Sequence, residues 1–155
     1  MILLIFGICI LMVIGGSILY DKNESAQEQI GALIESPAIY RNLSAFDNLK
    51  TKAFLFNIPD NQIYETLEMV GLENTGKKKA GKFSLGMKQR LGIAMAILTS
   101  PKFLILDEPT NGLDPDGVAE LLNLIQSLKS RGVTILISSH QLHEISKVSD
   151  QIVIL

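Results

Sequence analysis

The chain has 155 residues, of which 47% are hydrophobic and 19% are charged. This composition argues against a disordered chain and allows one domain with a sizeable core. The net charge of −2 gives no general argument for nucleic-acid binding. The single cysteine, Cys9, excludes an intrachain disulfide framework and is typical of a reducing compartment.

The first stretch, Met1–Leu19, contains no Asp, Glu, Lys, Arg or His, and its length allows a membrane span. Gly15 and Gly16 interrupt it, and it lacks the basic start of a secretory signal. Three interpretations of Met1–Ile14 stay open: a replaced or mistranslated start, a buried segment, and a membrane anchor.

The next two apolar runs predict short strands. Gly16–Asp21 is predicted as a strand and turn, followed by a polar surface connection up to Gln29. Ile30–Ile34 is predicted as a buried strand that ends at Glu35, because Pro37 disfavours a helix directly after it.

Two helices are predicted in the middle of the chain. Ser44 can cap the first, with Asp47 at its third position, where an acid interacts favourably with the helix dipole. Pro59 precedes the second, and Gly71 is a plausible stop for it.

A basic run without a single acid extends from Gly76 to Arg90. It is interpreted either as a solvated loop and helix face or as an electropositive approach to phosphate groups. After Gly86, apolar residues at positions i, i+3, i+4 and i+7 predict an amphipathic helix that ends before Pro101.

The segment KFLILDEPTNGLDP, Lys102–Pro115, is the most informative in the chain. Its apolar strand ends in two adjacent carboxylates, Asp107 and Glu108, although Asp and Glu are poor strand formers. In α/β proteins, ligands bind where parallel strands end. One carboxylate can hold Mg²⁺ while its neighbour positions or deprotonates a water. The alternative is an ordinary exit from a strand into a turn.

The remaining elements alternate between helix and strand. Asp114 is predicted to cap a helix whose first residue is Pro115. Val133–Ser138 is predicted as a strand, Gln141–Val148 as a short helix and Gln151–Leu155 as a further strand. This alternation predicts an α/β fold with a parallel core.

Three segments together resemble the ATPase subunits of ABC transporters, in the order in which that family has them. Lys102–Pro115 resembles the Walker B motif and D-loop, Phe83–Arg90 (FSLGMKQR) the signature motif, and Ile137–His140 (ISSH) the switch histidine. The signature, together with Ile30–Glu35 (IGALIE), is similar to the branch associated with bacitracin and lantibiotic export or immunity.

The resemblance implies an α/β fold in which a partial P-loop NTPase-like core with a parallel sheet carries the ABC helical subdomain. It assigns residues 15–35 and 96–155 to the core and about 36–95 to the helical subdomain, and leaves residues 1–14 as an apolar segment outside the family sequence. The sequence contains no GxxxxGK[ST], the loop that supplies phosphate-binding groups. We therefore expect a domain that is incomplete at both ends.

The resemblance also implies roles for the residues near the two carboxylates. Asp107 matches the aspartate that holds Mg²⁺, and Glu108 matches the catalytic glutamate that orients or deprotonates the attacking water. His140 matches the switch histidine, which contacts the γ-phosphate of ATP. Glu35 lies where the family usually has a glutamine that senses the metal or the attacking water.

Ser84 and Gly86 carry the signature role, in which a helix N-terminus faces the γ-phosphate held by the opposite subunit. Leu85 and Met87 depart from the common pattern of that motif. Asp114 resembles the D-loop aspartate that couples the two sites, and a helix cap explains it equally well.

The function that this resemblance implies is ATP binding and hydrolysis with Mg²⁺, powering export of substrates such as antimicrobial peptides. The implied partners are a second ABC ATPase domain and a separate membrane permease, with no nucleic acid, at the cytoplasmic face of the cell membrane. One alternative is a noncatalytic fragment or trans-acting half-site that pairs with an intact subunit. Another, an ABC-type protein acting on ribosomes or DNA, is disfavoured because no long charged linker or coiled coil is visible.

Overall fold

The computed structural model describes residues 30–34 and 36–152. The predicted strand at Gly16–Asp21, the apolar Met1–Ile14 segment and Glu35 lie outside these residues. In chain order, the strands and α-helices are β1 (Ile30–Leu33), α1 (Ala45–Leu55), α2 (Asp60–Met69), α3 (Leu85–Ile97), β2 (Phe103–Asp107), α4 (Pro115–Ser130), β3 (Thr134–Ser138) and α5 (Leu142–Ile145).

The strands form a parallel sheet in the order β1-β2-β3. Ile105 of β2 lies between Ala32 of β1 and Leu136 of β3, and Asp107 pairs with Ser138 at the carboxyl end. Parallel strands need long crossover connections, and helix α4 forms the one between β2 and β3. The predicted α/β fold with a parallel sheet is confirmed.

Helix α1 begins where the sequence predicts. Ser44 Oγ accepts the backbone N–H of Asp47 at 3.1 Å, and the Asp47 carboxylate accepts the backbone N–H of Ser44 at 3.3 Å. This reciprocal capping box satisfies two helix-end donors at once. The hydrogen bonds from Ser44 lower the pKa of the Asp47 carboxyl below its usual value.

Helix α3 joins the helical part of the chain to the sheet. It packs against α1, α2 and β1. Its backbone lies very close to that of β1: a Cβ atom at Gly31 would lie only 2.5 Å from the carbonyl oxygen of Ala96. Glycine at position 31 therefore allows the backbones of β1 and α3 to approach each other.

A continuous apolar core links these helices with the sheet. Its largest fully buried apolar side chains are Leu49, Ile63, Leu72, Leu91, Ile93, Leu98, Leu104, Leu106, Leu121 and Ile125. The predicted apolar stripe of α4 is buried in this core, which fixes the helix against the strands. Burial of such residues stabilises the fold by about 1.5–3 kcal/mol each.

The last predicted helix is shorter than expected. The prediction was Gln141–Val148, whereas α5 is a single turn, Leu142–Ile145. After it, the backbone N–H groups of Lys147 and Val148 bond three residues back instead of four, and the Ser146 and Ser149 hydroxyls donate to backbone carbonyls. These bonds compete with helix continuation.

The predicted final strand, Gln151–Leu155, is described only at its first two residues, neither of which is in a strand. Across the described ranges, none of the helices combines the length and apolar composition that a membrane crossing requires.

Candidate functional site

The two adjacent carboxylates lie at the carboxyl end of the sheet. Strand β2 ends at Asp107 and strand β3 at Ser138, and the two residues are paired in the register. The Ser138 hydroxyl donates a hydrogen bond to Asp107 Oδ1. The sheet thus delivers a carboxylate and a hydroxyl to the same point of its edge.

Glu108 is held in an unusual backbone conformation. Its φ of 47° lies in the left-handed region, which costs a residue with a Cβ atom about 1–3 kcal/mol. Its backbone N–H donates to both the carbonyl oxygen of Ser138 at 3.2 Å and the Ser138 hydroxyl at 3.1 Å. Ser138 therefore contacts both Asp107 and Glu108, and its two bonds to the Glu108 N–H help to hold Glu108 in its left-handed conformation.

The Glu108 side chain points to His140. Its Oε2 lies 2.9 Å from His140 Nδ1. The glutamate side chain is 29% exposed and the histidine side chain 63% exposed. The contact therefore uses Nδ1 of the ring and leaves Nε2 without a contact to Glu108. Nε2 of the exposed ring is then the nitrogen left for another group.

The signature-like segment forms the N-terminus of helix α3. Ser84 is the N-cap, and its Oγ accepts the backbone N–H of Met87 at 3.2 Å. The first turn of α3 has no acidic residue, and the flanking Lys82 is exposed. This end of the helix is electropositive and accessible, which suits an anionic group.

The loop after Glu108 leads back to the signature-like segment. Gly112 has a φ of 75°, and a Cβ atom there would lie 3.2 Å from Leu85 Cδ2. Leu113 Cδ2 lies 3.9 Å from where a Cβ of Gly86 would be. Asp114 then caps α4 by accepting the Gly117 N–H at 3.0 Å, so its predicted capping role is confirmed.

Five of the seven predicted site residues form two groups in the structure. Asp107, Glu108 and His140 are joined through hydrogen bonds. Ser84 and Gly86 lie beside the 111–113 loop, and no hydrogen bond within the described ranges connects Ser84 with the carboxylates. The sixth residue, Asp114, caps the helix that follows this loop, and the seventh, Glu35, is outside the described residues.

Sequence reasoning missed the contribution of Ser138. The prediction included it in the ISSH segment without a role of its own. The sequence feature that could have indicated this role is a hydroxyl residue at the last position of the strand that precedes His140. Once β3 is placed beside β2, that position pairs with Asp107.

The donor set fits Mg²⁺ held together with a phosphate ligand. Mg²⁺ is usually bound by one or two carboxylates plus substrate phosphates, not by a cage of protein ligands. Asp107, with the hydroxyl of Ser138 beside it, supplies one such carboxylate. In the described part of the chain, no three His, Cys, Asp or Glu side chains are grouped so that they could hold a metal ion by themselves.

Comparison with known proteins gives a family for this arrangement. The profile of the family described as ABC transporter matches residues 8–111. The chain is 49% identical over 138 residues to the lantibiotic transport ATP-binding protein SrtF of Streptococcus pyogenes, covering 87% of this chain and 60% of that protein. It is 50% identical over 139 residues to the bacitracin transport ATP-binding protein BcrA of Bacillus licheniformis, covering 88% and 45%.

A solved structure agrees with the fold. CbiO1 from Clostridium perfringens, described as part of the ABC transporter complex CbiONQ, superimposes with a TM-score of 0.72 at 32% identity. The match covers 81% of this chain and 52% of CbiO1. The chain therefore spans about half to three fifths of the length of these relatives.

Proposed function

Because the chain belongs to the ABC transporter family, we propose that it forms part of an ATP-hydrolysing subunit that powers export through a separate membrane permease. The observation that carries this proposal is the Asp107–Glu108–His140 group, held by Ser138 where two parallel strands end. The proposed location is the cytoplasmic face of the membrane, where such a subunit meets its permease.

In this proposal the described residues share the chemistry of hydrolysis. Asp107 would hold Mg²⁺, which would supply positive charge to offset the negative charge of the phosphates. Glu108 orients the attacking water and accepts its proton. His140 holds Glu108 through Nδ1 and keeps its other ring nitrogen for the γ-phosphate.

The remaining residues serve a composite site between two ATPase domains. Ser84 and Gly86 present the N-terminus of α3 to the γ-phosphate held by the opposite domain. Asp114 couples the two sites through the 111–113 loop, which contacts the signature-like segment. Glu35 senses the metal or the attacking water. SrtF and BcrA are named for lantibiotic and bacitracin transport, so we propose an antimicrobial peptide as the exported substrate.

The test of this function is the Glu108→Gln variant, assayed both for ATP binding and for ATP turnover. The change keeps the shape of the side chain and removes its charge. We expect ATP turnover to fall about 100-fold or more with ATP binding retained. Glu65→Gln, which alters an exposed carboxylate of α2, is the matched control. Normal turnover in Glu108→Gln would refute the role.

A further inference from the structure

A cluster of basic side chains lies on the helical part of the chain. Its members come from two segments, the loop that precedes α1 and the turns that precede α3. All of them belong to exposed residues. The cluster, called here the basic surface, consists of Arg41, Lys77, Lys78, Lys79 and Lys82.

Backbone contacts hold the two segments side by side. Ser44 and Lys79 form an isolated antiparallel bridge, and the backbone N–H of Gly81 donates to the carbonyl oxygen of Arg41 at 2.8 Å. Residues 77–82 span at most about 20 Å even when fully extended. The five positive charges are therefore concentrated in one region of the surface.

Acids of the described chain leave most of this charge uncompensated. Among residues 30–34 and 36–152, no acid forms an ion pair with a side chain of the basic surface. The acids that flank the two segments in sequence are Asp47 and Glu73. After the hydrogen bonds from Ser44, the charge of Lys79 also contributes to the lowered pKa of Asp47. These two acids can offset at most two of the five positive charges, so the surface stays positive.

The remainder of the described chain has the opposite charge balance. Outside residues 36–46 and 76–90, Asp and Glu outnumber Lys and Arg, and the whole chain has a net charge of −2. Exposed charges separated by more than about 10 Å are largely screened at 0.1 M ionic strength. An anionic partner that contacts the basic surface therefore interacts mainly with its cations, and this asymmetry orients the chain on the partner.

The chemistry of the basic surface favours a lipid membrane over a nucleic acid. Proteins that bind single strands stack bases on exposed aromatic side chains, but the one aromatic residue of segment 76–90, Phe83, is only 4% exposed. A cluster of about four to eight Lys and Arg is typical of sites for anionic lipids, where each cation strengthens binding about fivefold. The permease of the proposed function also places a membrane next to this chain.

We propose that the basic surface binds the anionic lipid headgroups of the membrane that holds the permease. The lysine ammonium groups and the Arg41 guanidinium pair with lipid phosphates and turn the helical part of the chain toward the membrane. This proposal rests on the proposed function for the presence of a membrane, but it uses none of the residues assigned to ATP hydrolysis. Lipid binding and ATP turnover can therefore fail independently.

The test compares two double variants by co-sedimentation with vesicles. Lys77→Gln with Lys79→Gln removes two charges of the basic surface. Arg131→Gln with Lys147→Gln, at exposed positions outside it, changes the net charge by the same amount and is the matched control. The vesicles contain phosphatidylcholine either alone or with about 30% phosphatidylglycerol, which supplies the anionic headgroups. Circular dichroism spectra of both variants must match that of the parent chain.

We expect the parent chain to bind the phosphatidylglycerol vesicles at least about 100-fold more tightly than phosphatidylcholine alone at about 0.05 M NaCl. The Lys77/Lys79 variant should lose about 25-fold of this preference, because each lysine contributes about fivefold. The control should keep the preference within about twofold, and about 0.5 M NaCl should abolish it in all three proteins.

Equal binding of the parent chain to the two kinds of vesicle would overturn the proposal, as would an equal loss of preference in the two double variants. A third arm replaces the vesicles with duplex DNA. Tighter binding to the DNA than to the anionic vesicles, with the same loss in the Lys77/Lys79 variant, would assign the basic surface to nucleic acid and would also overturn the proposal.

Discussion

Helices α1 and α3 both begin after a serine, Ser44 and Ser84, whose Oγ accepts the backbone N–H three residues later. Ser44 is 5% exposed, and the Asp47 carboxylate completes its capping box. Ser84 is exposed, and the corresponding third position is Met87. At the first cap, called here the closed cap, side chains of the protein satisfy the helix-end donors. At the second, called here the open cap, helix-end donors stay available to another group.

The difference shows how one residue type serves stability at one place and binding at another. At α1 an acid of the chain already occupies the positive end of the helix dipole. At α3 no acid is present in the first turn, so an external anion has no competitor. The γ-phosphate contact of Ser84 and Gly86 is compatible with this contrast and stays a prediction.

The largest expected effect is on stability at the closed cap. Ser44→Ala removes the acceptor for the Asp47 N–H and the hydroxyl that donates to Asp47 Oδ2. We expect a loss of about 1–2 kcal/mol in the free energy of unfolding, measured by urea denaturation. Ser130→Ala, which removes an exposed hydroxyl bound to Ser127 O, is the control and should cost less than about 0.5 kcal/mol. A loss of the same small size in Ser44→Ala would break the comparison.

Removing the serine of the open cap should affect ATP turnover more than stability. Ser84→Ala should lower stability by about 0.5 kcal/mol, because the hydroxyl is exposed, but should lower ATP turnover in the complete protein about tenfold by removing a phosphate contact. Ser84→Thr keeps the hydroxyl and should retain most of the turnover. If Ser84→Ala changed stability and left turnover intact, Ser84 would be an ordinary cap.

The caps were predictable because they depend on residues close in sequence. Ser44 with Asp47, and Asp114 with Pro115, specify helix starts within four residues, and the apolar run of β2 specifies a buried strand. The single-turn α5 was not predictable to the same degree, because the serine side chains that follow it compete for backbone carbonyls.

The sequence predicted which residues form the candidate site, but not their contacts or backbone conformations. Asp107, Glu108 and His140 came from a resemblance of motifs, and the structure places Glu108 against His140 and Asp107 against Ser138. Ser138 was missed because its role depends on strand register across 31 positions of the chain. The left-handed backbone of Glu108 was also unforeseen, because glutamate has no preference for that conformation.

The comparison of the two caps can be tested further by giving α3 the acid that α1 has at its third position. Met87→Glu creates the pattern Ser-x-x-Glu at α3 and so completes a capping box like that of α1. We expect the free energy of unfolding to rise by about 0.5 kcal/mol and ATP turnover of the complete protein to fall, because the new carboxylate repels the phosphate. Met87→Gln can form the same box without charge and is the matched control. Equal turnover in the two variants would argue that charge at this helix end has no part in binding.

The smallest expected effect is a pH dependence confined to the closed cap. Hydrogen bonds from Ser44 hold the pKa of Asp47 below its usual value, so the folded state binds a proton there less readily than the unfolded chain. The stability that this group contributes is therefore present above the unfolded pKa of about 3.9 and is lost as the pH falls through the lower folded value. Asp47→Asn should accordingly be less stable than the parent protein at pH 6 and should approach it as the pH falls through the folded-state pKa of Asp47 in urea titrations. A difference between Asp47→Asn and the parent that stayed constant across this range would mean that the cap stabilises α1 without its charge.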